Sequence, residues 1–371
     1  MFLQIHTLTA YPASLLNRDD AGLAKRIPFG DAIRLRVSSQ CLKRHWREDL
    51  TQRLPELPDG LRTRSFFTRT VLPKAVAAGV GEAMASSLIE PLAKAVIDGG
   101  VKEGGDLNQP VLLGLREADY FVQMLVQVSR EEDPTKALAE RLKSKEEKDN
   151  LKAMSKSGAG LTAALFGRMV TSDLLARVDA PVHVAHAFTV HAANTEMDYF
   201  TVVDDLNRDD ETGAAHANQT ELGAGVYYGY VAVDVPLLVS NLTGCEARDW
   251  RQQDPAVARR VLEALVTSIV QQSPGAKKGS TAPYAWADLL LLEAGPTQPC
   301  ALANAFLEAV TPRGDVRQQA AQQMLAYLER LDGMYGAGTE RRLATTLPVA
   351  SAMETGSIGP VVGATLDALW S

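Results

Sequence analysis

The sequence has little cysteine, few aromatic side chains and no long apolar run, and these shortages exclude several classes of protein. Its three cysteines are odd in number and far apart, which excludes a disulfide scaffold and a cysteine zinc cluster and fits a reducing cytoplasm. No apolar run approaches the roughly 20 residues of a membrane span. The N-terminus lacks the basic head and apolar segment of a secretory signal. We therefore expect a cytoplasmic protein with no membrane partner.

The composition is otherwise that of an ordinary globular protein. Of the 371 residues, 46% are hydrophobic and 22% are charged, which allows one elaborate domain or two ordinary ones. The net charge of −7 argues against a protein covered in nucleic acid. It is still compatible with a single basic groove.

One stretch, residues 16–47, has the opposite charge to the rest of the chain. It contains eight Lys or Arg against three Asp, a net charge of +5, so the remaining residues carry −12. A segment that differs so much from its background indicates a polyanionic partner.

The same stretch predicts a strand, a turn and a helix. Apolar and polar side chains alternate in residues 33–38. The inward set is Ile33, Leu35 and Val37, and the outward set is Arg34, Arg36 and Ser38. Ser38 also suits a helix N-cap, and Leu42, Trp46 and Leu50 form an apolar helical stripe. Helix N–H groups and nearby cations together suit a phosphate; alternatively, the cations serve solubility on a wet surface.

Residues 192–223 predict a hairpin that projects from the domain. Polar arms flank a short apolar centre at residues 199–203, and an exposed apolar tip is costly unless something covers it. Either the hairpin packs on its own domain, or its tip inserts between stacked bases.

The loop 273–284 is rich in glycine and lysine but lacks the spacing of a nucleotide-triphosphate loop. Lys277 and Lys278 either hold an RNA phosphate or cap the preceding helix. In residues 135–156, a predicted helix, a basic stripe suits a salt-bridged solvent face; its members are Arg141, Lys145, Lys148, Lys152 and Lys156.

Several ordered motifs resemble the CasC-type backbone subunit of the type I-E CRISPR Cascade complex. The N-terminal set is LNRDD (16–20), the Phe29-Gly30 turn and RVSSQCLKR (36–44). The later set is GRMVTSD (167–173), HAFTVHAANTEMDYFTVVDDL (186–206), GVYYGY (225–230), PGAKK (274–278) and ANAF (303–306). The likeness covers most of the chain and fades in the middle and after about residue 313.

The resemblance implies an α+β fold, a ferredoxin-like palm of the RNA-recognition type with a helical finger insertion and a thumb β-hairpin. The corresponding ranges are 1–58 for the first part of the palm, 59–158 for the finger, 159–192 for the second part of the palm, 193–223 for the thumb and 224–371 for the remainder of the palm. It implies a non-catalytic subunit without cofactor or metal. Copies stack head to tail along CRISPR RNA (crRNA), with target DNA and other Cascade subunits as partners. In the family the helical finger touches the DNA duplex, which is the alternative for the basic stripe of residues 141–156.

The resemblance also assigns roles to individual residues. The expected phosphate contacts are Arg18, Lys25, Ser38, Gln40, Lys43, Arg44, Arg47, Lys277 and Lys278. The expected base-displacing residues are Met169, Phe200, Thr201 and Val203. Asp31 departs from the family, in which a glycine follows the Phe29-Gly30 turn, and it is expected to weaken the local positive field.

Two other functions are compatible with the sequence. Related subunits of type III complexes cut target RNA with a loop aspartate, and paired aspartates can hold Mg²⁺. The pairs present are Asp19-Asp20, Asp204-Asp205 and Asp209-Asp210. The second alternative is a structural assembly protein that binds no nucleic acid.

Overall fold

The computed structural model describes residues 1–170, 172, 174–175, 177–202 and 216–371. The chain divides into two compact units. The sheet unit contains Met1–Leu50, Val184–Val233 and Arg259–Ser371, and the helical unit contains Thr51–His183 and Asp234–Ala258. Each unit is therefore assembled from separate segments of the chain.

The strands are, in chain order, β1 (Phe2–Ser14), β2 (Arg26–Phe29), β3 (Ala32–Val37), β4 (Gly60–Thr63), β5 (Val111–Gly114), β6 (Val182–Val184), β7 (Ala187–Thr189), β8 (Thr195–Val202), β9 (His216–Asp234), β10 (Leu289–Gly295), β11 (Glu340–Thr345) and β12 (Glu354–Thr355).

The helices are α1 (Ser39–Arg53), α2 (Leu72–Ala77), α3 (Glu82–Val96), α4 (Leu115–Val128), α5 (Pro134–Lys143), α6 (Lys145–Gly158), α7 (Leu161–Phe166), α8 (Val235–Thr243), α9 (Ala256–Gln271), α10 (Lys278–Thr281), α11 (Val316–Tyr335) and α12 (Ile358–Trp370). No helix in the described ranges combines the length and apolar character that a membrane crossing requires.

A large mixed sheet forms the sheet unit. Its strand order is β12-β11-β10-β1-β9-β7-β3-β2, with β8 paired to β9 outside this path. β1 lies between β10 and β9, and its residues 3–9 are all buried, as expected of a central strand with both faces covered. The α+β class expected from the sequence is confirmed.

The core on one face of this sheet lies under α11. Leu8, Leu291 and Tyr228 of the sheet belong to the same buried cluster as Met324 and Leu328 of α11. Because α11 presents these side chains one helical turn apart, its buried face fits the flat surface of the sheet.

The helical unit has its own core. Phe67, Leu88, Phe121 and Leu138 from successive helices belong to one buried cluster, and β4 pairs with β5 in an antiparallel ribbon. The helical unit is therefore a compact unit with a hydrophobic core of its own.

The prediction of one continuous helix over residues 135–156 was wrong, because the chain forms two helices that meet at Ser144. Ser144 ends α5 and caps α6, since its hydroxyl accepts a hydrogen bond from the Glu147 backbone N–H at 3.2 Å. Arg141 therefore lies on one helix and the lysines of the stripe on the next. Arg141 is paired with Glu147 at 2.8 Å, so this member of the stripe belongs to a salt-bridged face.

Candidate nucleic-acid interface

The strand, turn and helix predicted in the basic stretch are present as β3 and α1. Leu42, Trp46 and Leu50 are buried along one side of α1, which confirms the apolar stripe. Ser38 caps the helix: its hydroxyl accepts a bond from the Cys41 backbone N–H at 3.3 Å. A serine hydroxyl that accepts in this way can still donate its own proton to an anion.

α1 is fixed at its other end by α9. The Asp49 carboxylate accepts hydrogen bonds from the Ser268 hydroxyl at 2.6 Å and from the Gln272 side-chain amide at 2.8 Å. The helix that carries much of the basic stretch is therefore held by a segment more than 200 residues later in the chain.

Five cations from four separate segments converge beside α1, and we call them the cationic cluster: Lys25, Arg36, Lys43, Arg44 and Lys278. The charges of these five residues act on the pKa values of three side chains that lie among them, His186, Cys41 and His45. Burial lowers the pKa of His186, and the positive charges of Arg36, Lys25 and Lys43 lower it further.

The other side of the cationic cluster surrounds Cys41 and His45. Burial raises the pKa of the Cys41 thiol, and the charges of Arg44, Lys25 and Lys278 oppose that rise. Burial lowers the pKa of His45, and Lys278 and Arg44 act in the same direction. The turn before β2, strand β3, helix α1 and the 273–284 loop thus bring like charges together.

Like charges collected at one place repel each other, and a screening or binding anion offsets that cost. All five members are exposed or half-buried. Arg44 pairs with Glu48 at 3.1 Å, but both side chains are largely exposed, so this pair contributes little. The arrangement is chemically suited to a phosphate chain.

Arg36 is a member of the cationic cluster that was not among the expected contacts. Its guanidinium lies 2.9 Å from Nδ1 of His186 and donates to the Arg26 carbonyl at 3.2 Å. The alternation of apolar and polar residues in 33–38 predicts that Arg36 faces outward, and this would have been sufficient to include Arg36 among the expected phosphate contacts.

Three other expected phosphate contacts lie on α1 or in the turn between β1 and β2. Arg18 and Gln40 are exposed and Arg47 is half-buried. Arg18 lies on a turn closed by a backbone bridge to Ala24, and Gln40 lies in the first turn of α1. They flank the cationic cluster along the chain without belonging to it.

Lys277 is directed elsewhere. Its ammonium donates to the Thr220 hydroxyl at 2.6 Å and lies 5.3 Å from the centroid of the Phe200 ring. Phe200 lies on β8 and is 39% exposed. Lys277 therefore connects the 273–284 loop to the β8–β9 pair, in which Thr195 faces Gly223. Val203 and the side chain of Thr201 lie outside the described residues.

Met169 belongs to the helical unit and is 86% exposed. Its neighbour Arg168 is fully buried, and one guanidinium nitrogen contacts both carboxylate oxygens of Glu117, at 2.7 and 2.8 Å. Arg168 also exchanges two backbone hydrogen bonds with Val178. An exposed methionine thus projects from a rigid base, in a cleft that Arg62 also lines.

Arg34 corrects the predicted alternation of β3. It is fully buried, while Ile33 is 56% exposed. The Arg34 guanidinium donates to the Phe306 carbonyl at 2.9 Å and the Thr189 carbonyl at 3.3 Å. These buried acceptors draw Arg34 inward, so its charge does not contribute to an outer surface.

Asp31 is part of the same arrangement. Its carboxylate pairs with Arg34 at 3.2 Å and accepts the Ala309 backbone N–H at 2.9 Å. Burial lowers the pKa of Arg34, and the negative charge of Asp31 opposes that change. The preceding Gly30 has φ +62°, and a Cβ there would lie 1.8 Å from the Leu307 carbonyl oxygen. Asp31 thus neutralises a buried charge next to a turn that requires glycine.

The aspartates considered for metal binding are not assembled into a site in the described part of the chain. Asp19 folds its own turn, since one carboxylate oxygen accepts the backbone N–H groups of Ala21 and Leu23 at 2.9 Å each. Asp20 is exposed, and residues 204, 205, 209 and 210 lie outside the described ranges. Among the described residues, no three His, Cys, Asp or Glu side chains are grouped to hold a metal ion.

Comparison with known proteins identifies the family. Over its full length the chain superposes on a chain of a "CRISPR RNA-guided surveillance complex, pre-nicking", with TM-score 0.84, 26% identity and 100% of both chains covered. A chain of a second "CRISPR RNA-guided surveillance complex" gives TM-score 0.64 at 24% identity over 99% of each chain, a likeness of fold alone. A search of curated proteins finds no significant match. The family model described as CT1975-like protein matches residues 3–369, and the chain therefore belongs to the CT1975-like protein family.

Proposed function

We propose that this protein is a non-catalytic, crRNA-binding backbone subunit of a CRISPR surveillance complex of type I-E. The observation that carries the proposal is the cationic cluster, drawn from four segments of a chain whose net charge is −7. The full-length likeness to a chain of an RNA-guided complex supports it. Type I-E rests on the motifs of the sequence.

In this proposal the cationic cluster grips the phosphates of the guide RNA, with Ser38, Gln40, Arg47 and Arg18 beside it. Phosphate contacts carry no sequence information, which suits a subunit that must accept any guide. Target DNA is then selected by base pairing with the guide. The sheet unit serves as the palm and the helical unit as the finger.

The β8–β9 pair is the proposed thumb, which displaces one base of the guide per subunit. Phe200 is partly exposed and its ring lies beside the Lys277 ammonium. Together with Thr201, Val203 and the exposed Met169, it supplies apolar groups that unstack a nucleotide. Copies related head to tail form an open helical filament along the RNA, in the cytoplasm and with the other subunits of the complex.

The test is the double variant Lys43→Ala/Arg47→Ala in the full-length protein. We expect weaker binding of single-stranded RNA, by a similar factor for all sequences. The slope of log affinity against log salt should become shallower by about 0.7 for each phosphate that is no longer neutralised. Fluorescence anisotropy at several salt concentrations measures both quantities.

The matched control is Lys136→Ala/Arg248→Ala, which removes two exposed cations of the helical unit. It should leave the affinity and the slope for RNA unchanged. Unchanged RNA binding in Lys43→Ala/Arg47→Ala would favour the assembly protein without nucleic acid. Mg²⁺-dependent RNA cleavage that Asp19→Ala or Asp20→Ala abolishes would favour the type III ribonuclease.

A further inference from the structure

Two aromatic side chains, Tyr284 and Trp286, are exposed on the sheet unit in the segment that follows the lysine-rich loop. They are 71% and 70% exposed, whereas Trp46 and Trp250 are buried. Two large rings left in water so close together are unusual, because aromatic side chains contribute most of their free energy when they are covered.

The segment that carries these rings has a fixed backbone. The Ser273 hydroxyl accepts the Ala285 backbone N–H and donates to the Ala285 carbonyl, both at 2.9 Å. The backbone N–H of Ala287 donates to the Val270 carbonyl at 2.9 Å. Ala285 and Ala287 are thus tied to the end of α9, and the two rings alternate with them along a held segment.

The backbone that leads into Tyr284 lies beside one member of the cationic cluster. A Cβ at Gly275 would lie 2.7 Å from Cγ of Pro283 and 3.1 Å from Cγ of Lys278, so Pro283 and Lys278 pack against the same glycine. Tyr284 follows Pro283 directly. Lys278 and Arg44 are the two members of the cationic cluster whose charges act on both Cys41 and His45.

We propose that Tyr284 and Trp286 form a stacking platform for unpaired bases of a single-stranded nucleic acid whose phosphates lie on the cationic cluster. The proposal deepens the proposed function and rests on it. Surfaces that bind single strands combine a cationic track with exposed aromatic rings, because every base has a face that stacks. The positive charge of the cluster attracts a polyanion, and a single-stranded nucleic acid supplies both phosphates for the cations and base faces for the rings.

The experiment compares two RNAs of equal length, an oligouridine and an otherwise identical strand in which the bases are absent. Tyr284→Ala/Trp286→Ala should weaken oligouridine binding by about tenfold or more. The salt slope should remain that of the unchanged protein, because the cations that neutralise the phosphates are all retained. The base-free strand should bind the double variant and the unchanged protein equally well.

Two further variants control for ring chemistry and for apolar area. Tyr284→Phe/Trp286→Phe keeps both rings and should retain most of the oligouridine affinity. Met334→Ala/Tyr335→Ala removes a comparably exposed pair, 75% and 74% exposed, elsewhere on the sheet unit and should have no effect. Circular dichroism checks that each variant is folded.

Equal weakening of the affinity for both RNAs, or unchanged affinity for both, would overturn the platform. Unchanged affinity for short RNA together with fewer copies on long RNA would also overturn it, and would indicate a contact between copies. If the Tyr284 and Trp286 variants contradict the stacking platform but Lys43→Ala/Arg47→Ala still weakens RNA binding, the proposed function remains supported. If no variant affects RNA binding, both proposals fail.

Discussion

Arg34 and Arg168 show how this chain uses arginine away from its surface. Arg34 is neutralised by Asp31 and surrounded by backbone carbonyls, while Arg168 makes a two-oxygen contact with a buried Glu117. Burying a guanidinium is tolerable only when its charge and its N–H groups are satisfied. Both residues hold loops in place: the turn at Gly30 in one unit and the base of Met169 in the other.

Asp31 is expected to matter for folding and not for RNA binding. Asp31→Ala removes the charge partner of Arg34 and an acceptor for the Ala309 N–H, so it should lower the free energy of unfolding by about 1–3 kcal/mol. Urea denaturation measures this change. Asp31→Asn, which keeps an acceptor oxygen, should lose less.

The RNA affinity of the Asp31→Ala variant distinguishes two roles for Asp31: neutralising buried Arg34, as the structure shows, or weakening the outer positive field, as expected from the sequence. If Asp31 weakens the outer positive field, its removal should tighten RNA binding. Because the carboxylate is paired with buried Arg34, we expect no tightening.

Glu293 gives the protein a specific response to acid. The carboxylate is buried and contacts His6 at 3.0 Å and Arg341 at 2.6 Å. Burial alone would raise its pKa, but the hydrogen bonds and charges of His6 and Arg341 prevail and lower the pKa to about 2. Because the unfolded chain has an ordinary glutamate pKa of about 4.3, the unfolded state binds the proton first as the pH falls.

The contribution of Glu293 to stability is therefore complete above about pH 4.3 and is lost progressively as the pH falls towards about 2. The free energy of unfolding of Glu293→Gln should lie below that of the unchanged protein at about pH 6, and the gap should narrow by about pH 3. Urea denaturation at a series of pH values tests this. Glu340→Gln, which alters a largely exposed carboxylate, should show no such narrowing.

At the scale of elements, periodic patterns were reliable where one side of an element faces the core. The stripe of Leu42, Trp46 and Leu50 placed α1 correctly. In residues 255–272 an apolar residue recurs every four positions, which predicts a helix, and α9 forms there. The position of Arg34 could not be read from the same kind of pattern. Its partners, Thr189 and Phe306, come from distant segments, so only the tertiary structure shows that a charge points inward there.

Elements without a clear period were harder to predict. The sequence predicts a helix over residues 75–95, but the structure interrupts it between α2 and α3, where Gly79 adopts φ +97°. The region after residue 339 showed little pattern, yet it forms β11, β12 and α12. Edge strands and a terminal helix depend on the sheet they join, so their local sequence carries little signal.

The sequence predicted most residues of the candidate site but not their arrangement in space. Charge density identified Lys25, Lys43 and Arg44, since clustering of cations is visible in a linear chain. It could not show that Lys278 joins them while the adjacent Lys277 is directed to Phe200. Neighbouring lysines separate because the loop turns between them, and that turn is set by packing at Gly275 and by the hydrogen bonds of Ser273.

The β8–β9 pair is expected to act on target capture more than on assembly. Phe200→Ala/Val203→Ala removes the apolar groups proposed to displace a guide base and leaves the cations in place. Binding of complementary DNA by the RNA–protein filament should fall several-fold, while the number of copies on the RNA should not change. An equal fall in both would contradict a wedge, and Met197→Ala, on another exposed residue of β8, is the control.

At the scale of the whole molecule, charge is divided between a basic stretch of +5 and a remainder of −12. An acidic background limits non-specific attraction to nucleic acid, while the cationic cluster keeps a local attraction. Together with the proposed head-to-tail stacking, this division predicts that assembly depends on RNA.

We expect the number of bound copies to increase in equal steps with the length of a single-stranded RNA. Mass photometry at low salt measures the number of copies directly, with a duplex RNA of the same length as control. A constant stoichiometry whatever the length would indicate a closed oligomer. Raising the salt concentration should shorten the assemblies, since phosphate contacts weaken with salt.

The position of β1 between β10 and β9 has a consequence during translation. The ribosome makes the basic stretch first, but the strands and helix that hold it, β9, α9 and β10, emerge more than 150 residues later. Until then, Lys278 has not been made and Asp49 of α1 lacks Ser268 and Gln272. In the proposed function, a nascent or prematurely terminated chain would therefore compete poorly for guide RNA, and only finished subunits would enter a growing complex.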